Sequence, residues 1–380
     1  MRVAQVTYST KPRGGVVHTL AVSEALAALG HDVEVWTLGR GQDTAFFREV
    51  DPRVRVRVVP FDGCDGETVA ERIERSIDAM SRAFSSDADI VHAQDCISAN
   101  AVGAAGRPYV RTIHHLDAFT TPRLVECHER AIRDPIARIC VSRAVAAEVA
   151  RGYGCAPTVI PNGVDAARFA AAAGSAGDAG RERWRAQLGD YVLALGGIEP
   201  RKGSIDLLEA FALARESNPD LRLVFVGGET LFDYRPYREE FERRATELGL
   251  QPTVLGVLPD DEVPAVVAAA RALGFVSTKE GFGLAAMEAL AAGVPVVARD
   301  LPVLREVFGD AVSYAEDVPG IAAALAAATS TVRVHDPEGG RRLAASYTWD
   351  AAAYAHVRFY ESLLRAKGGH DAAVDLLHHH

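Results

Sequence analysis

Short β-branched runs alternate with helix-length amphipathic segments along most of this chain, and that rhythm restricts the fold more than any single motif. Residues 2–8, 33–37, 54–58, 89–92, 109–113, 138–141 and 158–160 read as strands. Segments 17–29, 68–84 and 142–152 read as helices between them. The strand runs are apolar almost throughout, as strands covered on both faces should be. A series of this kind folds as a doubly wound parallel sheet. After Asn162-Gly163, a turn pair, comes a small-residue tract over 170–180 that reads as a linker. The rhythm then restarts, with strands at 191–195, 221–226, 253–255, 272–276 and 294–298. Helices are expected at 204–217, 237–248, 262–270, 284–292 and 320–328. The chain therefore divides into an α/β domain over 1–169, a linker over 170–184 and a second α/β domain over 185–345. A last helix over 346–366, with Trp349, Tyr354, Phe359 and Tyr360, either caps the second domain or crosses back to the first. Residues 367–380 form a tail. Two joined domains imply a cleft, a preferred place for ligands.

With 380 residues and 48% apolar side chains, the chain is long enough for two buried cores. Its net charge of −10 is the wrong sign for tracking nucleic-acid phosphates, so no nucleic-acid partner is expected. The arginine-rich first half permits at most weak, peripheral contact with an anionic membrane. No apolar run reaches membrane-spanning length; Glu288 interrupts the greasiest stretch, 284–298. The N-terminus lacks a signal-peptide pattern. Five scattered cysteines without a C-x-x-C pair argue against disulfides or a zinc site and for a cytoplasmic protein. His378-His379-His380 reads as a terminal remnant.

In a parallel sheet, ligands sit beyond the carboxyl ends of the strands, which sorts the candidates. Gly14-Gly15 opens the first helix after the first strand and offers free N–H groups, although a glycine-rich turn explains it equally well. Arg201-Lys202 sits in the corresponding connection of the second half, after Gly196-Gly197. Two cations there can neutralise a diphosphate. The chain uses only four lysines, and Lys11, Lys202 and Lys279 all lie in connections at strand carboxyl ends. The most informative segment runs from Ser277 through Glu280-Gly281-Phe282-Gly283-Leu284 to Glu288: strand, glycine turn, helix. Glu288 is a carboxylate inside an otherwise apolar helix, costly unless it has a task, and carboxylates suit hydroxyl groups. His114 and His115 leave the end of a strand, as do His92, Gln94 and Asp95. Asp87-Ala88-Asp89 precedes its strand and so lies on the wrong sheet edge for a metal-nucleotide site.

The block Glu280-Gly-Phe-Gly-Leu-Ala-Ala-Met-Glu288, followed by Ala292-Gly293-Val294-Pro295, resembles the E-x7-E block of the retaining glycosyltransferases of family four, the group 1 glycosyl transferases. Gly14-Gly15, His114, Pro161-Asn162-Gly163-Val164-Asp165, Glu199-Pro200-Arg201-Lys202-Gly203 and Leu258-Pro259-Asp260-Asp261-Glu262 extend the resemblance over nearly the whole chain. It implies the GT-B architecture, two Rossmann-like domains facing a central cleft. It also implies transfer of a hexosyl group from a nucleotide-diphosphate sugar to a hydroxyl acceptor, with retention, attack on the same face, and no metal or other cofactor. By the same resemblance Gly15, Arg201 and Lys202 would hold the diphosphate. Glu280 and the backbone of Gly281, Phe282, Gly283 and Leu284 would hold the sugar, Glu288 the ribose hydroxyls, and His114 would lie beside the transferred sugar. One departure stands out: many relatives carry arginine at or next to position 197, where this chain has glycine, so Arg201 is expected to supply that charge. The tandem His114-His115 leaves the register of the catalytic histidine open. A nucleotide-sugar 2-epimerase of the same architecture, a phosphate-using phosphorylase and a non-catalytic nucleotide-sugar binder are the competing readings. A dehydrogenase lacks the G-x-G-x-x-G fingerprint.

Overall fold

The structure is a computed structural model. It describes residues 1–377 except Gln42, Asp65, Ala118, Thr120, 229–233 and 331–335, with side chains described to Ala366. The histidines at 378–380 lie outside the described residues. The chain forms two compact units. The first comprises Met1–Val141, Val149–Gly163 and Trp349–His380; the second comprises Ser142–Glu148 and Val164–Thr348.

The first unit holds seven parallel strands: β1 (Arg2–Val6), β2 (Asp32–Arg40), β3 (Val54–Phe61), β4 (Ile90–Ala93), β5 (Val110–Ile113), β6 (Ala137–Cys140) and β7 (Thr158–Val159). Their order is β3-β2-β1-β4-β5-β6-β7, so the winding direction reverses between β1 and β4. Side chains alternate across this sheet and fill two cores. Val3, Val33 and Val35 pack on one face with Leu20 and Leu26 of the helix Gly14–Ala28 and with Ala353 and Tyr360 of the helix Trp349–Leu377. Ala4, Val6, Trp36 and Leu38 pack on the other with Met80, Val102 and Tyr109. The final helix is thus an integral layer of the first unit.

The second unit repeats the plan with six parallel strands: β8 (Tyr191–Leu195), β9 (Arg222–Val226), β10 (Thr253–Val254), β11 (Ala272–Phe275), β12 (Val296–Arg299) and β13 (Ser313–Ala315). The order β10-β9-β8-β11-β12-β13 reverses between β8 and β11. Its core joins Val192, Leu208, Phe211, Leu223, Phe225, Phe241 and Leu325.

Two expectations change. Strand β13, three residues long at the sheet edge, has no apolar run to mark it in the sequence. The tract read as a linker is helical over Ala166–Ala173 and Asp178–Leu188, with a single 3-10 turn over Ser175–Gly177. Alanine is the best helix former, so a run of alanines needs only a cap. Asp165 supplies it by accepting from the Arg168 N–H at 3.1 Å. Among the described residues, no helix is long and apolar enough to cross a membrane.

Candidate functional site

In each unit the candidate residues gather where the strand order reverses, the place where open α/β sheets bind ligands. In the second unit the loops after β8 and β11 meet. The Arg201 carbonyl accepts from the Thr278 N–H at 2.8 Å, tying one loop to the other. Glu280 Oε1 then collects three donors: Lys202 Nζ at 2.7 Å, Ser277 Oγ at 2.9 Å and Arg201 Nη1 at 3.3 Å. Arg201 also reaches the Lys279 carbonyl at 3.3 Å, and Lys202 Nζ stands 5.4 Å from the Phe275 ring centroid. Two cations thus share one carboxylate, and positive charge exceeds negative within this triad.

The turn that follows is shaped by backbone constraints. Gly283 adopts φ +99°, and a Cβ there would stand 2.8 Å from Phe308 Cζ. That conformation and that crowding strain any side chain placed there. Gly281, Phe282 and Gly283 are buried, and the Phe282 ring packs on Tyr347 at 5.3 Å, so only its backbone is free for a ligand. Leu284 begins the helix Leu284–Ala291, which has no side-chain cap, so its first N–H groups point outward from the turn. Glycine at position 197 also has a reason: a Cβ there would stand 2.5 Å from the Gly228 carbonyl oxygen. The loop after β9 occupies the room an arginine would need, and the cation beside this glycine pair is Lys202, whose Cε would lie 3.5 Å from a Cβ at Gly196.

Glu288 lies inside that helix, its side chain with no hydrogen bond or ion pair to any described residue, and part of its surface stays accessible. Burial pushes its carboxyl up to about 8; Arg168 opposes the shift while Asp260 and Asp165 add to it. Arg168 is itself held by Asp260 at 2.9 Å. Asp260–Glu262, the segment matched to the family's base-side loop, forms a short 3-10 turn.

In the first unit, Gly14 and Gly15 start the helix after β1, and a Cβ added at Gly15 would lie 3.6 Å from His114 Cδ2. His114 Nε2 is 3.3 Å from Gln94 Oε1, whereas His115 turns to Asp117 at 3.0 Å. Of the tandem pair, His114 is the one against the glycine loop.

Behind His114 runs a buried polar chain that sequence reading did not foresee. Gln94 Nε2 donates to Gln5 Oε1 at 2.7 Å and Gln5 Nε2 to the Tyr360 hydroxyl at 3.3 Å. The Tyr360 hydroxyl meets His92 Nδ1 at 2.6 Å, and His92 Nε2 meets Thr112 Oγ1 at 2.7 Å. Donor order along the chain places the His114 proton on Nε2 and leaves Nδ1 as an acceptor. His92 is therefore a core residue, fully buried, and does not line a ligand site. His18 adds an edge-on ring contact to His114, with centroids 4.8 Å apart, and a hydrogen bond to Asn162 at 2.9 Å. His356 stands 6.0 Å from His18 and 5.8 Å from His92. Burial holds His18, His92 and His114 well below the usual imidazole range, with neighbouring imidazoles and, for His92 and His114, Arg111 adding to it; burial lowers His356 to about 4. No local signal could have revealed this cluster, since Gln5 and Tyr360 are 355 positions apart. Asp87 and Asp89, at the opposite strand ends, are tied to Arg2.

Residues 181–333 match the model of the glycosyl transferases group 1, and residues 12–168 match that of glycosyltransferase family 4. The phosphatidyl-myo-inositol mannosyltransferase of Mycobacterium leprae is 30% identical over 96% of this chain and 97% of its own. The MMP alpha-(1->4)-mannosyltransferase of Mycolicibacterium hassiacum is 28% identical over 96% of this chain and 98% of its own. Among solved structures, Anabaena HepE in complex with UDP and glucose superposes with a TM-score of 0.71 at 19% identity, covering 95% of this chain and 99% of its own. The two parallel-sheet α/β units share the fold of such GT-B structures. The chain belongs to the group 1, family four glycosyltransferases and is a glycosyltransferase.

Proposed function

We propose that the protein is a retaining hexosyltransferase that takes its sugar from a nucleotide-diphosphate donor, without a metal, and passes it to a hydroxyl acceptor in the cytoplasm. The observation that carries this reading is the triad Lys202–Glu280–Arg201 at the switch point of the second sheet. A diphosphate entering there meets two adjacent cations, Arg201 and Lys202. Arg201 and Lys202 stabilise the charge that develops on the departing nucleoside diphosphate, a contribution that often dominates catalysis. The N–H groups of Gly281, Gly283 and Leu284 bind sugar and phosphate oxygens. Glu280 receives sugar hydroxyls as the cations turn to phosphate, and Glu288 receives the ribose hydroxyls. In the first unit, Gly15 and His114 are assigned by the family resemblance alone, His114 offering Nδ1 as an acceptor for a sugar hydroxyl. With no enzymic nucleophile assigned, the acceptor attacks on the face the diphosphate leaves, and the leaving phosphate takes the acceptor's proton. Two mannosyltransferase relatives and a structural neighbour crystallised with UDP and glucose support a nucleotide-hexose donor. Five cysteines outside any disulfide support the cytoplasmic assignment.

The test is thermal denaturation with UDP, GDP and ADP and their hexose conjugates, with and without EDTA, followed by transfer assays with the donor that binds. A ligand at a hundred times its Kd stabilises by about 2.7 kcal/mol. One nucleotide class should shift the midpoint regardless of EDTA. No shift from any of them, or a shift abolished by EDTA, refutes the reading.

A further inference from the structure

Three side chains of the last helix, Trp349, His356 and Tyr360, meet the histidines behind the first unit's glycine loop. They recur at intervals of seven and four residues, which puts them on one face of that helix. Trp349 packs on His18 with ring centroids 5.7 Å apart, His356 lies against both His18 and His92, and Tyr360 stands edge-on to His92 at 5.8 Å. Of the three, Tyr360 is the one whose polar atom enters the hydrogen-bonded chain that ends on His114.

That chain runs His114, Gln94, Gln5, Tyr360, His92, Thr112, with links of 3.3, 2.7, 3.3, 2.6 and 2.7 Å. Gln5, His92, Thr112 and Tyr360 are fully buried and Gln94 nearly so, so a broken link is not replaced by bulk water. Burial keeps both imidazoles neutral, each with a single N–H. Every interior member then gives one proton to the next group and takes one from the group before, so reversing one link reverses them all. Two directions satisfy such a chain. With Gln94 Oε1 towards His114 and Gln5 Nε2 towards Tyr360, the structure holds the one in which His114 carries its proton on Nε2. The Tyr360 hydroxyl joins the two halves: it accepts from Gln5 while its own proton goes to His92 Nδ1.

We propose that Tyr360 is a positioning residue for His114. Through Gln5 and Gln94 it holds the imidazole in its Nε2–H form and keeps the Nδ1 lone pair for a hydroxyl group. Which nitrogen of a neutral imidazole carries the proton is set by the hydrogen bond the other atoms offer it. Phenylalanine at 360 would leave the Gln5 N–H without an acceptor and His92 Nδ1 without a donor. An unpaired buried carbonyl is tolerated better than an unpaired buried N–H, so the Gln5 amide turns round. Gln94 must turn with it and donate to His114 Nε2, and the imidazole proton moves to Nδ1. That the hydroxyl belongs to the transferred sugar rests on the transferase reading above; the tautomer does not.

The experiment is two-bond proton–nitrogen correlation of the full chain labelled at histidine, with the His114 signals assigned by their loss in His114→Asn. The wild type should show Nε2 protonated. Tyr360→Phe should convert about a third or more of His114 to the Nδ1–H form. Gln5→Met interrupts the same chain from the sheet and should do likewise, which keeps the test alive if Tyr360→Phe does not fold. His356→Leu lies on the same helix face but outside the chain, and should leave the tautomer unchanged even where it shifts the melting midpoint. In transfer assays Tyr360→Phe should lower kcat about ten-fold, with the donor KM within about two-fold, the pattern of a lost orienting partner. A wild-type proton on Nδ1, an unchanged tautomer in the chain variants, an equal change in His356→Leu, or a shifted tautomer with unchanged kcat would each overturn the proposal. A shifted tautomer in a protein that transfers sugar from no nucleotide donor would sink the transferase reading and leave the role of Tyr360 standing.

Discussion

Lys202 and Arg201 converge on one oxygen of Glu280. Lys202→Ala should lower kcat/KM by about 100- to 1,000-fold, the usual cost of losing one transition-state donor; steady-state kinetics with the identified donor would show it. Glu288 makes a prediction about pH. Its folded value of about 8 lies above the unfolded carboxylate value, so the folded state binds the extra proton. Stability is therefore lost as pH rises from about 4.5 through 8. Glu288→Gln should stabilise at pH 9 by about 1–2 kcal/mol, less than the full shift because the carboxyl keeps some solvent. It should have little effect near pH 4.5, and it should weaken donor binding. Melting curves at the two pH values check the sign. These residues were legible because glycine, lysine and glutamate are conspicuous at the ends of apolar strands. The buried chain from His114 to Thr112 was not, because its members are unremarkable one by one and meet only when the last helix docks on the first.

Elements were easier to read than their edges. The apolar runs identified twelve of the thirteen strands, since a strand buried on both faces has no alternative use for so much valine and isoleucine. Strand β13 escaped because Ser313–Ala315 is short and not apolar, and gains its order by pairing with β12. The helices in 166–188 escaped because alanine and glycine suggest a linker when their caps go unnoticed. Arg181 reinforces them by donating to the Ala172 and Gly174 carbonyls while pairing with Asp178. At this scale the turn between β11 and its helix is the place to test. Gly283→Ala should destabilise by about 1–3 kcal/mol, from a disfavoured φ and overpacking against Phe308. Chemical denaturation measures it, and a loss under about 0.5 kcal/mol would show that the turn can relax.

Each unit has its own chemistry, so the whole molecule should respond to two signals separately. Four histidines of the first unit are buried and neutral. Their folded pKa values lie below the unfolded value near 6.5, so their burial costs nothing above that pH and increasingly more below it. Each contributes a slope of up to about 1.4 kcal/mol per pH unit between its folded value and 6.5. Scanning calorimetry should show stability falling steeply between pH 6.5 and 4.5, and His356→Leu should flatten that fall. Nucleotide, in contrast, should raise the stability of the second unit. The first unit also includes Trp349–His380, and Tyr360 is fully buried in it. A chain emerging from the ribosome therefore completes the second unit's sequence before the first can close. The opening sheet must wait, its helix Gly14–Ala28 lacking a neighbour, until the helix that begins at Trp349 has been made. Until then that face of the sheet is open to chaperones and proteases, and a stop codon just before Trp349 would leave it uncovered.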